Sequence, residues 1–199
     1  MKSVDEARLE TDVAYRFAYL ADFIGFQQKD AELIQACGPY LGPAIPQLVE
    51  QTYARLLSYD ATARHFVPRQ HGYTGSLPRS VDELTQASPP IRFRKDHLTR
   101  YFMQLIGRSY DDKMVSYLDM VGKIHTPQAG NKEIHIPLVQ MNALMGLLAD
   151  VLTGALAESP LDPDQRLPTI RAFHKLLWIQ NDLINRHYVP VAFVGDGNQ

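Results

Sequence analysis

At 199 residues, with 45% hydrophobic and 21% charged side chains, the chain has the size and balance of one folded domain with a sizeable core. A net charge of -2 gives no global attraction for nucleic acid or anionic lipid, so neither nucleic acid nor membrane is expected as a partner. The single cysteine, Cys37, forbids an intramolecular disulfide, and the polar, acidic start from Met1 to Glu10 lacks the pattern of a secretory signal; both point to the cytoplasm.

Helical periodicity recurs along the chain without strand-like alternation of useful length, so the expected class is all-α. An opening helix fits Glu6 to about Phe23, with Val13, Phe17 and Leu20 on one face and Gly25-Phe26 as its end. A short helix after Asp30 carries Leu33 and Ile34 and stops near Gly38-Pro39. Pro43 and Pro46 lie where a helix tolerates them, near the start of one reaching Leu57 with Ile45, Leu48, Val49, Thr52, Tyr53 and Leu56 inward. Asp60 to Phe66 reads as a helical turn. Val67 to Pro90 is a long connection in which Ser80 and Glu83 form a candidate capping box.

A helix from Ile91 to Ile106 groups Leu98, Tyr101, Phe102 and Leu105. The next runs from Tyr110 to the Thr126-Pro127 stop, and its Met114, Leu118, Val121 and His125 recur at intervals of four, three and four. An imidazole on that apolar face needs a partner: it is either a core histidine satisfied by a backbone carbonyl or a metal anchor. Ile136 to Ala157 is long enough to cross a bilayer. It holds Gln140, Asn142 and Asp150 and lacks flanking basic clusters, so a buried helix of a bundle is expected. A short turn from Ser159 to Asp162 makes the last helix, Pro163 to Tyr188, its antiparallel neighbour, with Asp162 as a candidate cap. Two adjacent stripes on the last helix, Ile170-Phe173-Leu177-Ile184-Tyr188 and Leu176-Ile179-Leu183, exceed one contact. They predict a homodimer through the last two helices.

This order of helices, with a histidine closing the one before a long antiparallel pair, resembles the globin layout. The segments Arg16-Phe17-Ala18-Tyr19-Leu20, Phe23-Ile24-Gly25-Phe26, Cys37-Gly38-Pro39-Tyr40-Leu41 leading to Tyr53 and Phe66, Arg108-Ser109-Tyr110-Asp111, Gly122-Lys123-Ile124-His125 and Ile136-Pro137 narrow the resemblance to the protoglobin and globin-sensor branch. It implies a globin fold with an extra N-terminal pre-A helix and long G and H helices. The expected organisation is residues 1–26 as an extension packing on the globin, 27–190 as the globin domain and 191–199 as a tail. The chain departs from the family in the length of Val67 to Pro90 and in Thr52, which stands where a bulky aromatic is usual.

The resemblance implies haem b as cofactor and a diatomic gas, dioxygen, carbon monoxide or nitric oxide, as ligand of a pentacoordinate iron. His125 would be the metal ligand and Tyr53 the hydrogen-bond donor to the gas. Thr52, Leu98, Phe102 and Leu147 would supply apolar walls, Val121 would share the His125 face, and Phe66 would wedge against the macrocycle. Arg92, Arg94 and Lys95 read either as partners for the haem propionates or as a solvated basic cluster. His97 is phased off the pocket face; His65 and His71 reach it only if the long connection folds over; His135, His174 and His187 read as structural or surface residues.

Motifs of zinc proteases, serine hydrolases and phosphate-binding loops are absent, so an enzyme of those classes is not expected. The leading function that the resemblance implies is gas sensing, transport or scavenging. The alternatives are a haem-free regulatory module of the same fold, or a haem redox enzyme acting on nitric oxide or peroxide.

Overall fold

The computed structural model describes residues 1–129 and 131–188; the expected tail at 191–199 lies outside them. Among the described residues there is no strand. The expected opening helix is two: α1 (Glu6–Thr11) and α2 (Val13–Ile24), parted at Asp12. Asp12 is extended because its carboxylate accepts from the Tyr15 amide at 3.0 Å, restarting the chain as a capped helix. Gly25 closes α2 at φ 75, a left-handed conformation that suits glycine.

The next stretch holds α3 (Gln28–Ala36), α4 (Gly38–Leu41), a 3-10 turn at Gly42–Ala44 and α5 (Ile45–Leu57). Its prolines sit in first turns, where the missing amide has no helical partner to lose. Then come α6 (Asp60–Ala63), a 3-10 turn at Arg64–Phe66, a long connection with one 3-10 turn at Val81–Glu83, and α7 (Pro89–Gly107). Glu83 does not close the expected box on Ser80: its carboxylate accepts from the Arg79 amide at 2.8 Å instead. Finally α8 (Asp112–Lys123), a 3-10 turn at Pro127–Ala129, α9 (Leu138–Glu158) and α10 (Pro163–Asn185) complete the described chain.

The hub is α10, which packs on α2, α3, α8 and α9, while α5 lies against α7 and α9. Phe173, Leu176, Leu177, Ile179, Leu183 and Ile184 are all buried by these neighbours. The second stripe of α10 is thus satisfied inside the chain and does not by itself require a partner. Half-buried ion pairs tie the same helices: Arg16 to Asp182 at 2.9 Å, Lys175 to Asp30 at 2.8 Å and Arg186 to Asp119 at 2.7 Å. At Gly122, α8 approaches so closely that a Cβ would stand 2.7 Å from the Leu183 carbonyl oxygen. This contact sets the height of the α8 terminus, and hence of His125, above the core.

α9 is long and apolar enough to cross a membrane by length and composition. In the fold its Met141, Met145, Leu148, Leu152 and Leu156 are buried in the core.

Candidate functional site

His125 stands two residues beyond the last residue of α8, in a turn whose amide still bonds back to the Gly122 carbonyl at 3.2 Å. The Asp111 carboxylate caps the start of α8 by accepting from the Met114 amide at 2.9 Å. At the other end, the His125 Nδ1 lies 2.7 Å from the Val121 carbonyl oxygen. A carbonyl can only accept, so Nδ1 carries the proton and Nε2 keeps a free lone pair. Burial, then the Arg94 charge, push the imidazole down to about 4, against the opposing effect of the Val121 bond. It is therefore neutral near pH 7, the form that binds a metal.

The ring faces a cavity of about 440 Å³ and a smaller one of about 70 Å³ that shares His125, Tyr53, Leu56, Arg94, Met141 and Leu144. From α9, Met141, Leu144, Met145 and Leu148 form one wall at helical spacing; Leu98 and Tyr101 of α7 form another; Val121 and Ile124 flank the histidine. Tyr53, only 6% exposed, enters from α5 and leans on Phe66, with ring centroids 5.7 Å apart. Its hydroxyl has no hydrogen-bond partner among the described residues. Burial pushes its pKa up to about 12, against the lowering influence of Arg94, so the phenol remains a proton donor.

The cavities are cationic. Arg94, Arg100 and Arg108 line the larger one, and no aspartate or glutamate lines either among the described residues. Arg94 bonds through Nη2 to Gln70 Oε1 and holds its guanidinium 5.8 Å over the Phe66 ring. Gln70 belongs to the long connection, where its amide donates to the His65 and Pro68 carbonyls, each at 3.1 Å. Asn131 pins the same connection by donating to the Arg69 carbonyl at 2.8 Å.

Of the residues expected from the sequence, His125, Tyr53, Phe66, Arg94, Leu98 and Val121 line these cavities. Thr52, Phe102 and Leu147 do not. Thr52 is fully buried one position off the Tyr53 direction, its hydroxyl donating to the Leu48 carbonyl at 2.8 Å. Phe102 packs in the core while its neighbour Tyr101 faces the cavity. Leu147 is out of phase with Leu144 and Leu148, which supply the wall instead. The intervals of three and four among Met141, Leu144, Met145 and Leu148 carry that signal in the sequence.

His97, expected off the pocket face, is half-buried, lines the larger cavity and sets its ring at a tilt against Phe93, with centroids 4.4 Å apart. His65 borders the smaller cavity, whereas His71 borders a separate one. Arg92 is exposed and Lys95 pairs with Glu50 at 2.6 Å, so neither turns into the cavities.

The architecture places the chain among the globins. It matches the globin domain of the Geobacter sulfurreducens globin-coupled sensor with a TM-score of 0.67 and 20% sequence identity, covering 87% of this chain and 97% of that one. The protoglobin family profile matches residues 13–192, and the chain belongs to that family. A search of curated protein sequences finds no match.

Proposed function

We propose that this protein is a haem b globin that binds diatomic gas as a sensor, carrier or scavenger. The observation that carries the reading is the His125 tautomer: Nδ1 donates to Val121, leaving Nε2 as a free lone pair on the wall of an apolar cavity. A ring nitrogen oriented by a carbonyl in this way is the usual arrangement of a haem-ligating imidazole. Among the described residues no group of three metal-ligating side chains forms, in keeping with a cofactor that needs one protein ligand.

Haem would supply an iron with one coordination position left open for the gas. The chain's own residues do the rest. Leu98, Leu144 and Leu148 exclude water, Tyr53 offers an O–H to a bound gas, and the exposed Arg100 and Arg108 at the cavity margin suit carboxylate groups of the cofactor. The test is an absorption spectrum. Haem-loaded protein should show a Soret band that shifts when the ferrous form meets carbon monoxide, and His125→Ala should lose the axial ligation. A wild-type chain with no Soret band after loading would overturn the reading.

We further propose a homodimer through α9 and α10 and a cytoplasmic location, with residues 1–26 as an extension on the globin body. Packing of α2 on α8 and α10 supports the last point. Support for the dimer comes from the outer face of the pair, where Val139 is 71% and Trp178 65% exposed. There a second cavity of about 440 Å³ borders Gly146, His174, Asn181 and Asn185. The side-chain oxygens of Asn181 and Asn185 are buried there without partners.

A further inference from the structure

We infer that His187 and Tyr188, which follow the end of α10, are positioning residues for His125: they grip the chain on both sides of it and fix where its Nε2 points. This rests on the haem reading above and names what holds the metal ligand in place.

The bond from His125 Nδ1 to the Val121 carbonyl sets the rotation of the ring, but both groups ride on the same end of α8. Where that end stands in the molecule depends on contacts from another element. α10 ends at Asn185, and upstream it is already anchored by Arg16 on Asp182, by Lys175 on Asp30 and by the Gln180 bond to the Leu118 carbonyl. The bonds made by His187 and Tyr188 are therefore not needed to seat the helix, and they fall around His125.

Ahead of His125 in the chain, His187 Nε2 lies 2.9 Å from Asp119 Oδ1 and 3.2 Å from the Asp119 carbonyl oxygen; both can only accept, so Nε2 carries a proton. Loss of solvent would raise the Asp119 carboxyl, yet the bonds from His187 and Arg186 outweigh it and hold the group below its ordinary value, so the acceptor stays ionised. The ring also takes the space beside Gly122, where a Cβ would come within 3.1 Å of His187 Cδ2. The Gly122 carbonyl is the one that accepts from the His125 amide.

Beyond His125, the side-chain amide of Gln128 donates to the His187 carbonyl at 2.9 Å, with its Oε1 3.4 Å from Nδ1. The Tyr188 hydroxyl donates to the Ile136 carbonyl at 2.7 Å, and the Ile136 amide in turn donates to the His125 carbonyl at 3.0 Å. The His187 side chain is only 8% exposed, so water competes little for these bonds. A turn held on one side can pivot. Held on both, it presents the imidazole at one height and one tilt, which is how residues outside the ligand set orient a metal-binding histidine.

The experiment compares wild type, His187→Ala, His187→Gln and Tyr188→Phe by two readings. Amide exchange is followed by NMR in the full chain as its diamagnetic ferrous carbon monoxide complex, and the iron–histidine stretching band by resonance Raman in the ligand-free ferrous form. His187→Ala should speed exchange of the His125 and Ile136 amides about tenfold or more, while Val49 and Thr52 in α5 stay within about twofold. Tyr188→Phe should do the same at Ile136, and both variants should shift the iron–histidine band. His187→Gln, whose amide reaches Asp119 in place of Nε2, should keep wild-type values in both readings. An equal rise at all four amides would make the contacts merely structural and overturn the inference. So would local opening with the band unmoved, which would leave Val121 alone to orient the ring. Should His187→Ala fail to fold, Tyr188→Phe, which loses a single oxygen, decides by the same readings. A wild type that takes up no haem would overturn the haem reading; the exchange rates of the chain as purified then decide the clamp alone.

Discussion

At the level of single residues, the site depends on which nitrogen of His125 carries its proton. The Val121 carbonyl answers that within one turn of chain, so the ligand orientation is local and needs no long-range contact. Tyr53 is the opposite case. Its hydroxyl is unpartnered because α5 carries it to the cavities beside Phe66, Met141 and Leu144, whose side chains offer it no acceptor. A phenol left in that state donates to a ligand that accumulates negative charge, and one such hydrogen bond is worth about 1 kcal/mol. Tyr53→Phe in haem-loaded ferrous protein should therefore release dioxygen roughly five- to tenfold faster by stopped-flow absorption. Carbon monoxide, a poorer acceptor, should respond less. An unchanged dioxygen off-rate would remove Tyr53 from ligand stabilisation.

At the level of helices, the contact that positions His125 is the crossing of α8 over α10. Gly122 permits it, since a methyl group would meet backbone atoms of Leu183 and Ile184 at 2.7 and 2.8 Å and His187 Cδ2 at 3.1 Å. The surrounding bonds leave little room to yield: the Asp119 carboxylate accepts from Arg186 at 2.7 Å and pairs with His187 at 2.9 Å. Gln180 donates to the Leu118 carbonyl at 3.1 Å. Gly122→Ala is expected to lower stability by about 1–3 kcal/mol, the usual range for overpacking, in urea denaturation of the haem-free protein. It should also weaken haem retention, because His125 follows three residues later. Wild-type stability in this variant would show that α8 can shift without loss.

For the whole molecule, burial within one chain accounts for α10 and leaves the outer face of α9 and Trp178 uncovered. A face on which Val139 and Trp178 stand exposed beside a groove is better matched by a self-complementary copy than by water. Sedimentation at micromolar concentration should give a dimer for the wild type and a shift toward monomer for Trp178→Glu. The Soret spectrum should be kept, since Trp178 does not line the cavity that faces His125. A wild-type monomer would overturn the seam.

Local periodicity determined a good deal of this protein from sequence alone. The all-α class, the succession of helices and the buried faces of α5 and α8 all follow from residue spacing and from resemblance in order. These are properties that a few neighbouring residues decide. Tertiary structure decided what depends on helix rotation and on chain brought from far away. Leu147 yields to Leu144 and Leu148 because a helix face is narrow, and one position turns a side chain by about 100°. His97 enters the cavity and Thr52 does not for the same reason. The partner of Arg94 lies 24 residues away on the long connection, where no periodic signal exists. The second stripe of α10 looked like an interface in sequence, yet α2, α3 and α8 meet there, because burial is a property of the assembled fold.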